Sequence, residues 1–180
     1  RHFASILIKS YYSVMKTFII VSQTLDGFIA RKSEESSFDW TSKEDKAFFI
    51  SKTKEAGVVV MGRTTFQTIG KPLAGRRTIV MSRSKKVEVD GIESTDETPE
   101  ELCARLEKEG VNEVAIAGGA SIYTAFLKAG LVDKIFLTIE SHVFGDGIKL
   151  FNETHDKKLG LVSSTQIGEN TLLLEYNVIK

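Results

Sequence analysis

Val58-Val59-Val60-Met61-Gly62-Arg63-Thr64-Thr65-Phe66 decides the fold. Four apolar residues in a row, three of them β-branched, are too few for a helix and do not alternate with polar ones. They read as a strand covered on both faces, which is what a parallel sheet between helical layers demands. The glycine and the polar Arg-Thr-Thr then open a short helix. Working outward, Phe18-Ile19-Ile20-Val21, Ile79-Val80-Met81, Val114 to Ala117 and Ile135 to Ile139 repeat the strand signal at intervals that leave room for crossover helices. Thr41-Ser42-Lys43-Glu44 has the form of a capping box and predicts a helix from Ser42 to Lys54, stopped by Gly57. Thr98-Pro99-Glu100-Glu101 combines an N-cap, a proline suited to the first helical position and a capping glutamate. That helix ends at Gly110, and another runs from Ser121 to Ala129, ended by Gly130. Two strand-like runs about Gly168-Glu169-Asn170 predict a C-terminal antiparallel hairpin. The polar stretch from Arg31 to Ser37 reads as a mobile loop.

Of the 180 residues 42% are apolar, enough for one domain with a substantial core. Lys and Arg number 24, as do Asp and Glu, so no global basic field draws the chain to nucleic acid. No apolar run approaches the ~18 residues of a membrane span, and a soluble, cytoplasmic protein is expected. One cysteine, Cys103, excludes an intrachain disulfide, and His2, His142 and His155 have no metal-ligand spacing, so no metal is expected. Residues 1–14 precede the first methionine and carry two basic side chains and no acid. They read as a targeting or otherwise extraneous extension, with Met15 as the native start and 15–180 as one domain.

Three strands end in loops rich in Gly, Ser, Thr and Arg: Gly62-Arg63-Thr64-Thr65, Ser82-Arg83-Ser84 and Gly118-Gly119-Ala120-Ser121. Ligands of open α/β sheets bind at such strand ends, where glycine lets a phosphate approach a helix N-terminus. Arg63 and Arg83 suit phosphate oxygens, such as the 2′-phosphate that separates NADP from NAD. The dinucleotide pattern G-x-G-x-x-G is absent. Asp45 sits in the first turn of its helix, where the helix dipole alone accounts for an acid. Beside Trp40, Phe48 and Phe49, it is also a carboxylate open to desolvation and suited to an amidine-like heterocycle. Lys46 and Lys52 read as solvated.

Trp40-x4-Asp45-x3-Phe49, Met61-Gly62-Arg63-Thr64-Thr65-Phe66, Ile69-Gly70-Lys71-Pro72-Leu73-Ala74-Gly75-Arg76 and Ile116-Ala117-Gly118-Gly119-Ala120-Ser121-Ile122-Tyr123 together resemble dihydrofolate reductase over Phe18 to Phe151. The resemblance implies a three-layer α/β fold with a mixed, mostly parallel sheet of about eight strands, flanking helices and an antiparallel C-terminal hairpin. It implies NADPH as cofactor and reduction of dihydrofolate. Asp45 would hold the pterin, Trp40 would help position a water, and Thr138 would bond the pterin or Asp45. Ser22, Phe49, Ile69, Leu73, Ala117 and Tyr123 would line the substrate site, with Tyr123 also flanking the nicotinamide, and Arg76 would pair with the glutamate α-carboxylate. Ile29, Gly62, Arg63, Thr64, Thr65, Ser82, Arg83, Gly118, Gly119, Ala120, Ser121 and Ile122 would hold NADPH, with the Gly118-Gly119 bond cis, as is common in the family.

Departures from the family's pattern are Asp39 in place of a usual proline, a long Asp26 to Trp40 loop, and Lys46 at an apolar lining position. Other stretches, Asp26-Gly27-Phe28 and Gly145-Asp146-Gly147 among them, resemble the reductase domain of riboflavin biosynthesis. That enzyme also uses NADPH but reduces a ribosylaminopyrimidinone phosphate, and it usually has lysine where this chain has Phe28. A non-catalytic cofactor-binding module of the same fold is a third reading. Trp40, Asp45 and Arg76 together favour a pterin with a carboxylate tail. The sequence leaves monomer and homodimer both open.

Overall fold

A computed structural model describes residues 15–153 and 156–180, so the extension 1–14 and His155 lie outside the described residues. In chain order the elements are β1 (Lys16–Thr24), β2 (Phe28–Ala30), α1 (Lys43–Ala56), β3 (Val58–Gly62), α2 (Arg63–Ile69), β4 (Arg77–Met81) and β5 (Ile92–Thr95). There follow α3 (Pro99–Lys108), β6 (Glu113–Ile116), α4 (Ala120–Lys128), β7 (Lys134–Glu140), β8 (Ile148–Lys149), β9 (Leu159–Gly168) and β10 (Thr171–Val178). Eight strands make one sheet in the order β5-β4-β3-β6-β1-β7-β10-β9. The first six run parallel, and β10 pairs antiparallel with both β7 and β9.

The continuous apolar strands are explained by the layers. Alternate side chains of one strand go to opposite faces. Ile19, Val58, Val60 and Ile79 pack with Leu102 and Leu106 of α3 and Phe126 of α4, whereas Phe18, Val59, Met61 and Val80 pack with Phe66 and Leu73 on the α1 and α2 side. The mixed eight-stranded sheet and the C-terminal hairpin are as the sequence predicts.

At α3 both capping-box bonds form, Glu101 N–H to Thr98 Oγ1 at 3.2 Å and Thr98 N–H to Glu101 Oε2 at 2.9 Å. Thr98→Ala is therefore expected to lower stability by about 1 kcal/mol, measured as a shift in urea midpoint with an unchanged slope. At α1 the expected cap is displaced by one residue. Ser42, not Thr41, is the N-cap, its Oγ accepting from Asp45 N–H at 3.1 Å.

Three strands escape the sequence patterns. β5 is a polar edge strand, and β2 pairs with β8 in a separate two-stranded sheet too short to show periodicity. The segment read as a mobile loop is tied to itself: Arg31 pairs with Glu35, and Ser36 caps a 3₁₀ turn over Ser37–Asp39. Lys52 is not free in solvent either. It bonds Glu55 at 2.9 Å and lies over the rings of Phe18 and Phe136. Among the described residues no helix is long and apolar enough to cross a membrane.

Candidate functional site

Helix α1 is built the wrong way round for a core helix. Of its fourteen residues only Asp45 and Thr53 are buried, while Ile50 is 44% exposed. Burying a carboxylate costs free energy unless it is compensated, so such an inversion marks a site rather than a packing solution. Burial pushes the Asp45 pKa up. The hydroxyls of Ser22, Thr138 and Thr41 pull it back down, and the charge of Glu140 adds to the rise. The neighbouring Trp40 Nε1 is a buried polar atom with no hydrogen-bond partner among the described residues.

Asp45 opens into a cavity of about 600 Å³ at the carboxyl ends of β1, β3, β4 and β6. Of the residues singled out in the sequence, Ser22, Ile29, Phe49, Gly62, Arg63, Thr64, Thr65, Ile69, Ser82, Arg83, Ala117, Gly118, Gly119, Ala120, Ser121, Ile122 and Tyr123 all line it. A second cavity of about 420 Å³ shares Phe38, Phe49 and Ile69 with the first and is walled by Leu73 and Arg76. Thr138 lines neither but faces the Asp45 carboxyl. Trp40 also lines neither, packing edge-on against Phe144 and His142 at 5.1 and 5.9 Å. Lys46, expected in the lining, is absent from both walls. Tyr123 is fully enclosed, its hydroxyl donating to Ile20 O at 3.0 Å, and burial raises its pKa.

The glycine loops are joined, Gly62 N–H donating to Gly118 O at 2.7 Å. The Gly118-Gly119 peptide is cis. Gly118 has φ of +116°, in the left-handed region, and a Cβ there would stand 3.3 Å from Tyr123 Oη. No side chain caps α2 or α4, both of which start at the cavity, and at α4 the Ile122 N–H donates to Gly119 O at 2.9 Å. Arg77 and Arg105 share Glu93 and Glu109, and Arg31 has Glu35, but Arg63, Arg76 and Arg83 have no carboxylate partner among the described residues. All three stand at the cavities. Arg76 is steadied by Thr53 Oγ1 at 2.8 Å and Ala74 O at 3.1 Å, and partial burial lowers its pKa, as for a cation awaiting an anion.

The sequence reasoning missed Phe38, Ser33, Ser36 and Ser37, which line the first cavity from the tied loop. Phe38 meets Phe49 edge-on at 5.6 Å, and an aromatic placed between the polar stretch and Trp40 was the available signal. Asp26, of the Asp26-Gly27 pair, does not reach the cavity. It accepts from Phe144 and Gly145 N–H at 3.1 and 2.7 Å and fastens two loops together.

The family model described as dihydrofolate reductase matches residues 16–178. This chain belongs to the dihydrofolate reductase family. Dihydrofolate reductase of Bacillus subtilis (strain 168) is 30% identical over 135 residues, 74% of this chain and 75% of that one. Dihydrofolate reductase from Enterococcus faecalis, solved with NADP(H), superposes with TM-score 0.71 at 22% identity, covering 92% of this chain and 97% of that one. RibD of Acinetobacter baumannii superposes with TM-score 0.81 at 17% identity, covering 93% of this chain and 59% of that one. Both superpositions establish the fold, and the dihydrofolate reductase family frames the chemistry of the site.

Proposed function

We propose that the protein is an NADPH-dependent dihydrofolate reductase, reducing 7,8-dihydrofolate to 5,6,7,8-tetrahydrofolate. The observation that carries this reading is the buried Asp45 carboxylate at the head of a cavity that leads, past Phe49 and Ile69, to Arg76, which has no carboxylate partner among the described residues. A flat amidine-bearing ring at one end and an anion at the other match that layout.

The residues fit the cofactor. Arg63 and Arg83, which have no carboxylate partner among the described residues, offer cations to its phosphates, and the starts of α2 and α4, with no side-chain cap, face the same cavity. When bound, NADPH supplies the hydride that C6 of the pterin accepts. Asp45 takes the pterin's 2-amino group and adjoining ring N–H in a charge-assisted pair, which fixes the ring. Its negative charge also favours the positive charge that develops as N5 gains a proton. Ser22 and Thr138 orient the carboxyl, Trp40 closes the site behind it, and Phe49, Ile69 and Leu73 exclude water from the ring and aminobenzoyl group.

Ser33, Ser36 and Ser37 give the first cavity a hydroxyl-bearing wall, which favours a second reading in which a ribosylaminopyrimidinone phosphate is the substrate. NADPH oxidation followed by absorbance, with each substrate offered separately and NADH as control, decides between them. Turnover is expected with dihydrofolate and NADPH. Turnover with the pyrimidinone alone, or with neither, overturns the proposal. Replacing Arg63 or Arg83 by alanine is expected to raise the KM for NADPH about tenfold, with little change for NADH.

A further inference from the structure

Glu140, the last residue of β7, is 4% exposed and has no cationic partner among the described residues. Its Oε1 accepts from both the N–H and the hydroxyl of Ser42, each at 2.8 Å, and its Oε2 accepts from Thr171 Oγ1 at 3.1 Å. A serine hydroxyl has one proton to give and lone pairs to spare. Having donated to Glu140, Ser42 Oγ accepts the N–H of Asp45 at 3.1 Å. A relay thus runs from β7, through the N-cap of α1, to the backbone of Asp45. Capping alone does not call for it, because a serine satisfies a helix start without a buried carboxylate behind it.

The geometry points to Glu140 as a positioning residue for this site: through Ser42 it fixes the start of α1 and the aim of the Asp45 carboxyl. The inference rests on the proposed role of Asp45 in holding the substrate ring. The ionisable groups facing Asp45 are Glu140 from β7 and the Tyr123 phenol from α4, with Glu44 and Lys46 flanking it on α1. β1, β7 and the segment before α1 add the hydroxyls of Ser22, Thr138 and Thr41. A like charge disfavours ionisation, so Glu140 works with burial to keep a proton on Asp45 to higher pH.

The test is Glu140→Gln, whose amide oxygen still accepts both Ser42 bonds while the charge is gone. Asp45 titration is followed by its carboxyl ¹³C resonance, assigned with Asp45→Asn, beside the pH profile of dihydrofolate turnover. In E140Q the Asp45 midpoint and the profile are expected to move together to lower pH. Ser42→Gly keeps a good N-cap and the Glu140 charge but cuts the relay. Its turnover is expected to fall about tenfold through misaim of the carboxyl, with the pH profile in place. An unmoved Asp45 midpoint in E140Q, or wild-type turnover in S42G, overturns the inference. The carboxyl titration needs no substrate, so a shifted midpoint in a protein that does not reduce dihydrofolate overturns the proposed activity and leaves Glu140's hold on Asp45 standing.

Discussion

Asp45→Asn is expected to cut turnover of dihydrofolate by about 10²-fold or more near neutral pH while leaving the KM for NADPH near that of the wild type. The amide has the carboxylate's shape but not its charge, and it turns one of two acceptors into a donor facing the ring N–H. Ring orientation and electrostatic support for protonation are lost together. Stability moves the other way. Because burial raises the folded-state pKa above the ordinary 3.8, the unfolded chain releases this proton first as pH rises. The carboxylate therefore weakens the fold progressively above that value and has no such effect well below it. Thermal melts of the variant should lie at or above wild type at pH 7, and the difference should vanish in strong acid. Full activity in the variant would remove Asp45 from the mechanism, and a lowered melting temperature at pH 7 would contradict its being a buried charge whose desolvation outweighs its hydroxyl partners.

That opposition of activity and stability explains which parts of the molecule were legible in the sequence. Strands such as Val58–Met61 are read from local composition because both faces of the sheet are buried, and the Thr98 box is read because its partners are three residues apart. The cavity residues from Arg63 to Thr65 and from Gly118 to Ile122 were legible as strand-end loops, although the bond from Gly62 N–H to Gly118 O that joins them was not. Glu140 was invisible for a physical reason: an acid at a strand end is commonplace, and Ser42, its partner, lies 98 residues away. The same holds for β5, whose Glu93 finds its reason in the parallel neighbour and in Arg105, which bonds it at 2.6 Å. Thr41 misled because a hydroxyl stands three residues before an acid in either register, Thr41 before Glu44 and Ser42 before Asp45, and the choice went to Ser42, which Glu140 holds from across the sheet.

Arg76→Leu is expected to act on substrate binding and on little else. The guanidinium stands at the far end of the paired cavities from Asp45, without a carboxylate partner among the described residues. Losing a charge-assisted pair there costs roughly 2–5 kcal/mol when the pair is well desolvated. Arg76 is only half-buried, so the lower end applies, about 2 kcal/mol or a roughly thirtyfold rise in KM for dihydrofolate. The fold is spared, since Thr53 Oγ1 keeps its bond to Phe49 O at 2.5 Å when the arginine is gone. Arg76→Lys keeps the charge without the planar fork and should fall between the two. The decisive comparison is a reduced pterin lacking the glutamyl carboxylate. If Arg76 binds that carboxylate, the truncated substrate loses affinity for the wild type by the same factor and does not distinguish wild type from R76L. If both substrates suffer equally in R76L, the arginine shapes the cavity wall without meeting the tail, and the anion it awaits belongs to a different substrate.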